Sequence, residues 1–192
     1  MKQQLMKTSI SLSILVLLLY VPFVVITYTP LYYNTTIAQQ SFPESISKAD
    51  ANNATANLRS YFSYQSELNN QWNEKEKLHM HDVRKLFGLL HMLALAAVGN
   101  LFLQHRRIKD SSKNIQVVTT VFGLLLVLVT LFFSFFWTAI HPLLFSNEFW
   151  VLEPTDLSYY LFPLSFFRAI FFIELVVAVF GTLILTTTFK HR

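Results

Sequence analysis

Four long apolar stretches, each close to the length of a bilayer crossing, constrain this chain more than any other feature. They cover approximately residues 8–28, 86–104, 117–140 and 164–189. A helix of about 20 predominantly apolar residues spans the hydrocarbon core of a membrane. The sequence therefore predicts an all-α integral membrane protein, a four-transmembrane-helix bundle that forms a single membrane domain over residues 1–192.

The composition agrees with this class and limits the available chemistry. Hydrophobic residues make up 53% of the chain and charged residues only 14%, which is too apolar for an ordinary soluble domain. The chain has no cysteine, so disulfides, thiolate nucleophiles and cysteine-bound metals are excluded. The net charge of +4 comes from basic residues beside the apolar stretches, so no nucleic-acid partner is expected.

The distribution of charge predicts the orientation of the four helices. Eight of the 15 basic residues fall in the two chain ends and a loop at about 105–116, opposed only by Asp110. Short basic segments stay in the cytoplasm. This pattern predicts cytoplasmic termini, N-in and C-in, and places segments of about 29–85 and 141–163 outside.

The longer outer segment contains a helical pattern and then a run of polar residues. Leu58, Tyr61 and Phe62 recur at helical spacing within residues 48–65, which predicts a small extracellular helical segment that caps the bundle. The polar run follows: Trp72-Asn73-Glu74-Lys75-Glu76-Lys77-Leu78-His79-Met80-His81-Asp82-Val83-Arg84. Within it His79 and Asp82 are i,i+3 neighbours on a helix, so the carboxylate can orient or stabilise the imidazole. The alternative is an interfacial helix with solvated charges.

A second histidine is predicted at the same membrane depth. His141 stands at the outer end of the third apolar stretch, where His79 stands for the second. Two imidazoles can accept and donate protons near neutral pH. The alternative for His141 is a helix-ending histidine without a chemical role. Acid–base catalysis by the two histidines is one possible function. A second is a metal-binding or ion-handling membrane protein that uses His79, His81, Asp82 and His141. A third is a non-catalytic membrane scaffold.

Two ionisable residues fall within predicted spans. His91 lies in the second and Glu174 about ten residues into the fourth, and an ionisable group at that depth is a functional candidate. A structural role, in which Glu174 meets a hydroxyl, Asn100 or His91, is the alternative. The chain lacks a G-x-S-x-G nucleophile elbow, a phosphate-binding glycine loop and an H-E-x-x-H zinc motif.

The two outer segments together carry a pair of motifs. The first is Asn73-x-x-Glu76-x-x-His79-Met80-x-Asp82-Val83-Arg84. The second is His141-x-x-Leu144-Phe145-x-Asn147-x-x-Trp150-x-Leu152-x-Pro154-x-x-Asp156. In this order, and with the four-span layout, the chain resembles the bacterial lipoprotein intramolecular transacylases.

The resemblance implies an acyltransferase of the bacterial plasma membrane, with several spans and an active site on the extracellular side. Its substrate would be a lipoprotein whose N-terminal cysteine carries a diacylglyceryl thioether, surrounded by membrane lipid. The sn-2 acyl chain would move to the α-amino group of that cysteine and give the lyso-form lipoprotein. The chemistry requires no cofactor and no metal, because the substrate supplies the nucleophile.

The resemblance also implies roles for particular residues. By position, His79 and His141 are the catalytic pair. We expect His79, oriented by Asp82, to act as base toward the amine and His141 to protonate the leaving oxygen, although the two roles can be exchanged. The expected substrate-binding or supporting residues are Asn73, Asp82, Arg84, Asn147, Trp150 and Asp156. Among these, Asn147 or Arg84 is the expected oxyanion donor, and Asp156 is expected to position the second histidine or the amine.

Overall fold

The structure is a computed structural model that describes residues 1–190. His191 and Arg192, the end of the predicted cytoplasmic tail, lie outside the described residues. Within the described range the regular structure is helical throughout. The helices are α1 (Lys2–Tyr28), α2 (Pro30–Gln39), α3 (Lys48–Phe62), α4 (Glu74–Leu103), α5 (Ser112–Leu131), α6 (Phe133–Leu144), α7 (Leu157–Leu161) and α8 (Leu164–Lys190), with two 3₁₀ turns, His105–Arg107 and Lys109–Ser111, between α4 and α5.

Four helical segments are long and apolar enough to cross a membrane. They are Lys2–Tyr28, Glu74–Leu103, Lys109–Leu131 and Leu164–Leu185. The predicted all-helical fold with four membrane-spanning helices is thereby confirmed. The N-in, C-in orientation stays a prediction from charge.

The second span is part of a longer helix than its apolar stretch. α4 begins at Glu74, well before residue 86. Two reciprocal hydrogen bonds between Asn73 and Glu76 cap its N-terminus. The Asn73 side-chain oxygen accepts from the Glu76 amide at 2.9 Å, and a Glu76 carboxylate oxygen accepts from the Asn73 amide at 2.9 Å. This reciprocal pair is a capping box. His79 therefore sits on a rigid helix that continues into the membrane span.

The third predicted span, 117–140, is not one continuous helix. α5 ends at Leu131, and Phe132 has φ −107° and ψ 36°, outside the helical region, before α6 starts at Phe133. His141 consequently lies inside α6, whereas the sequence placed it at the start of an outer segment. The chain enters its irregular segment only after Leu144.

Two shorter helices fill the longer outer segment. α3 agrees with the predicted helix and begins with a capping box between Ser47 and Asp50. Its buried face includes Ala51, Ala54 and Leu58. α2 was not predicted, because its ten residues carry little apolar periodicity; Pro30 occupies its first turn, where the missing N–H costs nothing.

Contacts within the chain define two compact units. The first contains Met1–Phe23, Phe87–Phe133 and the residues from Phe171 onward. Its core includes Ile10, Ile14 and Ile115. The second contains Val24–Leu86 and Ser134–Ile170. It holds both motifs identified in the sequence.

The two ionisable residues of the spans belong to the first unit. Asn100, which was named as a possible partner of Glu174, donates instead to Ser13 Oγ at 2.8 Å and to the Ser9 carbonyl at 3.2 Å. His91 packs edge-on against Tyr20, with ring centroids 5.6 Å apart. One oxygen of Glu174 is buried and has no hydrogen-bond partner within residues 1–190.

Candidate active site

The second unit contains a cavity of about 470 Å³ that is lined by both histidines of the sequence motifs. His79 comes from α4 and His141 from α6. Its other lining residues are mostly aromatic and aliphatic: Met80, Trp137, Trp150, Val151, Leu152, Ser158, Tyr159, Phe162, Pro163, Leu164 and Phe167. Two proton-handling groups thus share one largely apolar cavity.

The His141 imidazole is buried between two indole rings. Its ring centroid is 4.4 Å from that of Trp137 and 4.6 Å from that of Trp150, and only 6% of the residue is exposed. Its Nδ1 is 2.5 Å from the carbonyl oxygen of Trp137, one turn earlier on α6. Burial lowers the pKa of His141 below its ordinary value of 6.5, and this hydrogen bond opposes the shift only in part. The neutral imidazole is therefore favoured at pH 7.

The His79 imidazole reaches the same cavity and is half-buried. Its ring lies edge-on to Phe145, with centroids 5.1 Å apart, and Phe145 also contacts His141 at 5.7 Å. The phenyl ring therefore packs against both imidazoles. The Nδ1 atom of His79 is buried and has no hydrogen-bond partner in the described part of the chain.

Asp82 acts on His79 through the charge of its carboxylate, one of the two expected modes, but it does not orient the imidazole by a hydrogen bond. Its carboxylate accepts from Asn147 at 3.0 Å and from Lys85 at 3.2 Å. Within residues 1–190 no hydrogen bond or ion pair joins it to His79. Asn147 in turn accepts from the Phe149 amide at 3.1 Å and does not line the cavity. Asp82 and Asn147 thus hold the chain that follows α6 against α4, which corrects the expected roles of imidazole orienter and oxyanion donor.

Asp156 is likewise engaged away from His141. Its carboxylate, 3% exposed, accepts from Asn73 at 2.8 Å, from Lys75 at 3.2 Å and from the Glu153 amide at 2.8 Å. Burial acts to raise the pKa of Asp156, but these hydrogen bonds outweigh it and hold the pKa below its usual value. The carboxylate joins the segment before α7 to the first turn of α4. It does not contact His141, so its expected role beside the second histidine is corrected.

Sequence reasoning missed the contribution of Glu76. This residue is 2% exposed, and one carboxylate oxygen accepts from both the amide and the hydroxyl of Ser158 at 2.7 Å. Its other oxygen completes the cap with Asn73. The sequence signal for the cap was present, an acid three residues after Asn73. The bond to Ser158, which lines the cavity, had no signal.

Arg84 points away from His79 and His141, the two histidines that it was expected to support. Its guanidinium lies over the ring of Tyr61 at 3.9 Å and that of Tyr64 at 4.8 Å. It donates to the Tyr61 carbonyl at 3.4 Å and lines a different cavity. Arg84 is five residues after His79, so it lies about 140° around the helix from it, a signal already present in the spacing.

Metal-binding geometry was the rival expectation for the outer histidines. Among residues 1–190, no three side chains of the His, Cys, Asp or Glu type are grouped so as to hold a metal ion. His81 is exposed, and its Nδ1 is 3.9 Å from Asp82. His79, His81, Asp82 and His141 therefore do not converge.

The fold and the cavity define a multi-pass membrane protein with a candidate acid–base site, and comparison with known proteins gives the family. A family model described as lipoprotein intramolecular transacylase Lit matches residues 6–167. The chain belongs to this family of membrane acyltransferases, which act on lipoproteins. No curated protein sequence matches the chain.

Solved structures share the fold at low sequence identity. A structure of the membrane-integral lipoprotein intramolecular transacylase Lit from Bacillus cereus has a TM-score of 0.85 and 19% identity, covering 98% of this chain and 94% of that chain. Two structures of the same protein carry a histidine substitution. The variant with arginine has a TM-score of 0.79 and 19% identity, covering 98% of this chain and 90% of that one. The variant with alanine has a TM-score of 0.73 and 18% identity, covering 98% of this chain and 92% of that one.

Proposed function

We propose that this transacylase moves the sn-2 acyl chain of an S-diacylglyceryl-cysteine lipoprotein to the α-amino group of that cysteine. The product is an N-acyl, S-monoacylglyceryl lipoprotein, the lyso form. The observation that carries the proposal is the cavity shared by His79 and His141. Attack of an amine on an ester requires little from the protein beyond proton transfer and positioning of the two groups.

His141 is the proton-transfer group. A backbone carbonyl can only accept, so the bond to Trp137 requires the proton of neutral His141 on Nδ1. Nε2 then carries the free lone pair. Burial keeps the imidazole neutral at pH 7, as a base requires. His141 therefore takes the role of base that was expected of His79, and it keeps its own expected role of protonating the leaving oxygen.

His79 is the hydrogen-bond donor to the acyl oxygen. Its Nδ1 is buried without an acceptor, and an unsatisfied buried N–H is costlier than an unsatisfied lone pair. The favoured neutral tautomer therefore has its proton on Nε2. A neutral imidazole N–H can stabilise an oxyanion without first acquiring a proton.

The proposed reaction balances with these two groups. The neutral amine attacks the ester carbon, a C–N bond forms, and His141 Nε2 takes one proton from the attacking nitrogen. The carbonyl oxygen gains the negative charge and accepts a hydrogen bond from His79. As the intermediate collapses, the bond from carbon to the glyceryl oxygen breaks and His141 returns the proton to that oxygen. No cofactor is required.

The cavity lining suits a lipidated substrate. Phe162, Leu164 and Phe167 provide an apolar wall beside the two histidines, and Trp137 provides a further aromatic surface. Burial of an acyl chain against such a wall contributes about 0.8 kcal/mol per methylene. We assign this wall to the acyl chain and the histidine end to the ester and amine.

The proposed location is the extracellular side of the bacterial plasma membrane. Its support is the concentration of basic residues in the loop between α4 and α5 and at the chain ends, which favours a cytoplasmic position for those segments. The residues of the histidine cavity lie on the opposite ends of the helices in sequence.

The direct test is mass spectrometry of the N-terminal peptide of a lipoprotein produced with the wild-type protein or with His79→Ala. Fragmentation locates each acyl chain. We expect the wild type to yield one N-linked and one glyceryl-linked chain, and the variant to leave the diacylglyceryl form, because loss of an oxyanion donor costs about 10²–10³ in rate. Persistence of the diacylglyceryl form with the wild type would refute the proposed reaction.

The pH dependence of the rate tests the role of His141. The substrate α-amine has a pKa of about 8, so log(kcat/KM) should rise with a slope of about one below that pH. His141 has a lowered pKa, and its base form is lost as the pH falls through that value. The slope should therefore steepen to about two somewhere below pH 6.5 in the wild type and remain about one in His141→Gln. Identical slopes in both proteins would exclude His141 as the base.

A further inference from the structure

A second cavity of the same unit bears charge and lies on the other side of α4 from the histidine site. It has a volume of about 370 Å³, and Lys77, His81 and Arg84 line it. These three residues lie about 140–160° around the helix axis from His79. The two cavities have no lining residue in common. A ligand of this second cavity is therefore not the reacting part of the acyl substrate.

The second cavity presents two opposite charges that are not neutralised by each other. The half-buried Arg84 makes no ion pair within residues 1–190 and is held by the rings of Tyr61 and Tyr64. Glu67 lines the same cavity from the segment after α3 and makes no ion pair in that range. Lys77 and Glu74, by contrast, pair with each other at 2.8 Å. Arg84 and Glu67 thus remain for a ligand with one negative and one positive group.

The backbone beside Arg84 has an unusual conformation. Tyr64 has φ 59°, the left-handed region, and is the one non-glycine residue with positive φ among the described residues. This conformation is disfavoured for a bulky side chain, and such residues occur often at ligand sites. Here it brings the Tyr64 ring over the guanidinium and helps to fix the Arg84 charge at the cavity wall.

The cavity lies where α4 passes from polar to apolar sequence. Arg84 and Lys85 directly precede the apolar stretch that begins at Leu86. Arginine and tyrosine at such a boundary occupy the depth of lipid headgroups. Leu78 also lines the cavity and is 49% exposed, which gives the cavity an apolar edge.

We propose that this second cavity binds the headgroup of a zwitterionic phospholipid, with the phosphate at Arg84 and the ammonium group at Glu67. Phosphoethanolamine has this pair of charges. A membrane lipid is favoured over the free headgroup because the charges adjoin the apolar stretch of α4, along which acyl chains can lie. The site is separate from transacylation and is read out by lipid retention.

Native mass spectrometry of the detergent-purified full chain tests this site. Phosphatidylethanolamine, phosphatidylglycerol and free phosphoethanolamine are added separately at equal concentration. The wild type should retain phosphatidylethanolamine in preference to phosphatidylglycerol, which lacks the ammonium group, and should not retain free phosphoethanolamine. Arg84→Gln should lose about tenfold in retention, since a charge-assisted bond to phosphate is removed. Glu67→Gln should abolish the preference between the two lipids.

Two further variants complete the test. Lys85→Gln removes a cation at the same depth that does not line the cavity, so its retention should equal that of the wild type. Leu78→Trp fills the cavity from an exposed position and should reduce retention even though both charges remain. Equal lipid retention by the wild type and Arg84→Gln would overturn the proposal. So would wild-type protein that retains free phosphoethanolamine as well as it retains phosphatidylethanolamine. Circular dichroism confirms that each variant is folded.

Discussion

Replacing His141 by glutamine is expected to reduce transacylation about 10³-fold, as much as replacing it by alanine does, because neither side chain accepts a proton near neutral pH. His79 should respond differently. Glutamine can place an N–H close to the position of the imidazole Nε2, so His79→Gln should recover at least about tenfold of the rate lost in His79→Ala. The measurement is the initial rate of N-acylated product formation, followed by mass spectrometry.

This comparison separates a proton-transfer group from a hydrogen-bond donor. If both His79 variants are equally inactive, His79 transfers a proton and the assignment of roles is wrong. If His141→Gln retains activity, His141 is not the base. His105→Asn is the matched control, because His105 also bonds through Nδ1 to a backbone carbonyl, that of Phe102, at 2.9 Å. It is exposed and does not line the cavity, so its rate should be unchanged.

Replacing Glu76 by alanine is expected to lower the free energy of unfolding by about 3–5 kcal/mol. The substitution leaves three donors without an acceptor, the amides of Asn73 and Ser158 and the Ser158 hydroxyl. Glu76→Gln should cost only about 1–2 kcal/mol, since its amide oxygen can still accept from Ser158 but its NH₂ group faces the Asn73 amide. Unfolding in detergent, followed by tryptophan fluorescence, measures both changes.

The control for Glu76 lies two residues earlier in the chain. The Glu74 side chain is 85% exposed and pairs with Lys77 at the surface, so Glu74→Ala should change the unfolding free energy by less than about 1 kcal/mol. Equal effects of the two alanine substitutions would mean that the buried bonds to Ser158 contribute little.

Because Ser158 lines the histidine cavity, Glu76→Gln should also raise KM more than it lowers kcat.

Local features of the sequence predicted most of the fold. The length of an apolar stretch is a property of consecutive residues, and the bilayer selects for it directly, so the four spans were recognisable. The break at Phe132 was not, because no glycine or proline marks it and the surrounding residues are apolar on both sides. α2 was missed for a different reason, because its ten residues carry little apolar periodicity.

The candidate site was predicted in its residues but not in its bonds. The two motifs named His79, His141 and Trp150, and all three line one cavity. Helical spacing predicted that Asp82 could orient His79, but its carboxylate accepts from Asn147, 65 residues later, and acts on His79 only through its charge. A rule based on neighbours i and i+3 does not account for such a distant partner. Among the expected supporting residues, Trp150 packs on His141, whereas Asp82, Asn147 and Asp156 form bonds that hold segments of the chain together.

The sequence alone determined the class of the protein, its four spans, its family resemblance and the pair of histidines, since these depend on residue type and on spacing along the chain. The tertiary structure decided which groups meet. Glu76 bonds to Ser158 across 82 residues, and Arg84, inside the same motif as His79, faces Tyr61. Such contacts depend on how distant segments pack, and spacing within one helix carries no information about which distant segment will lie beside it.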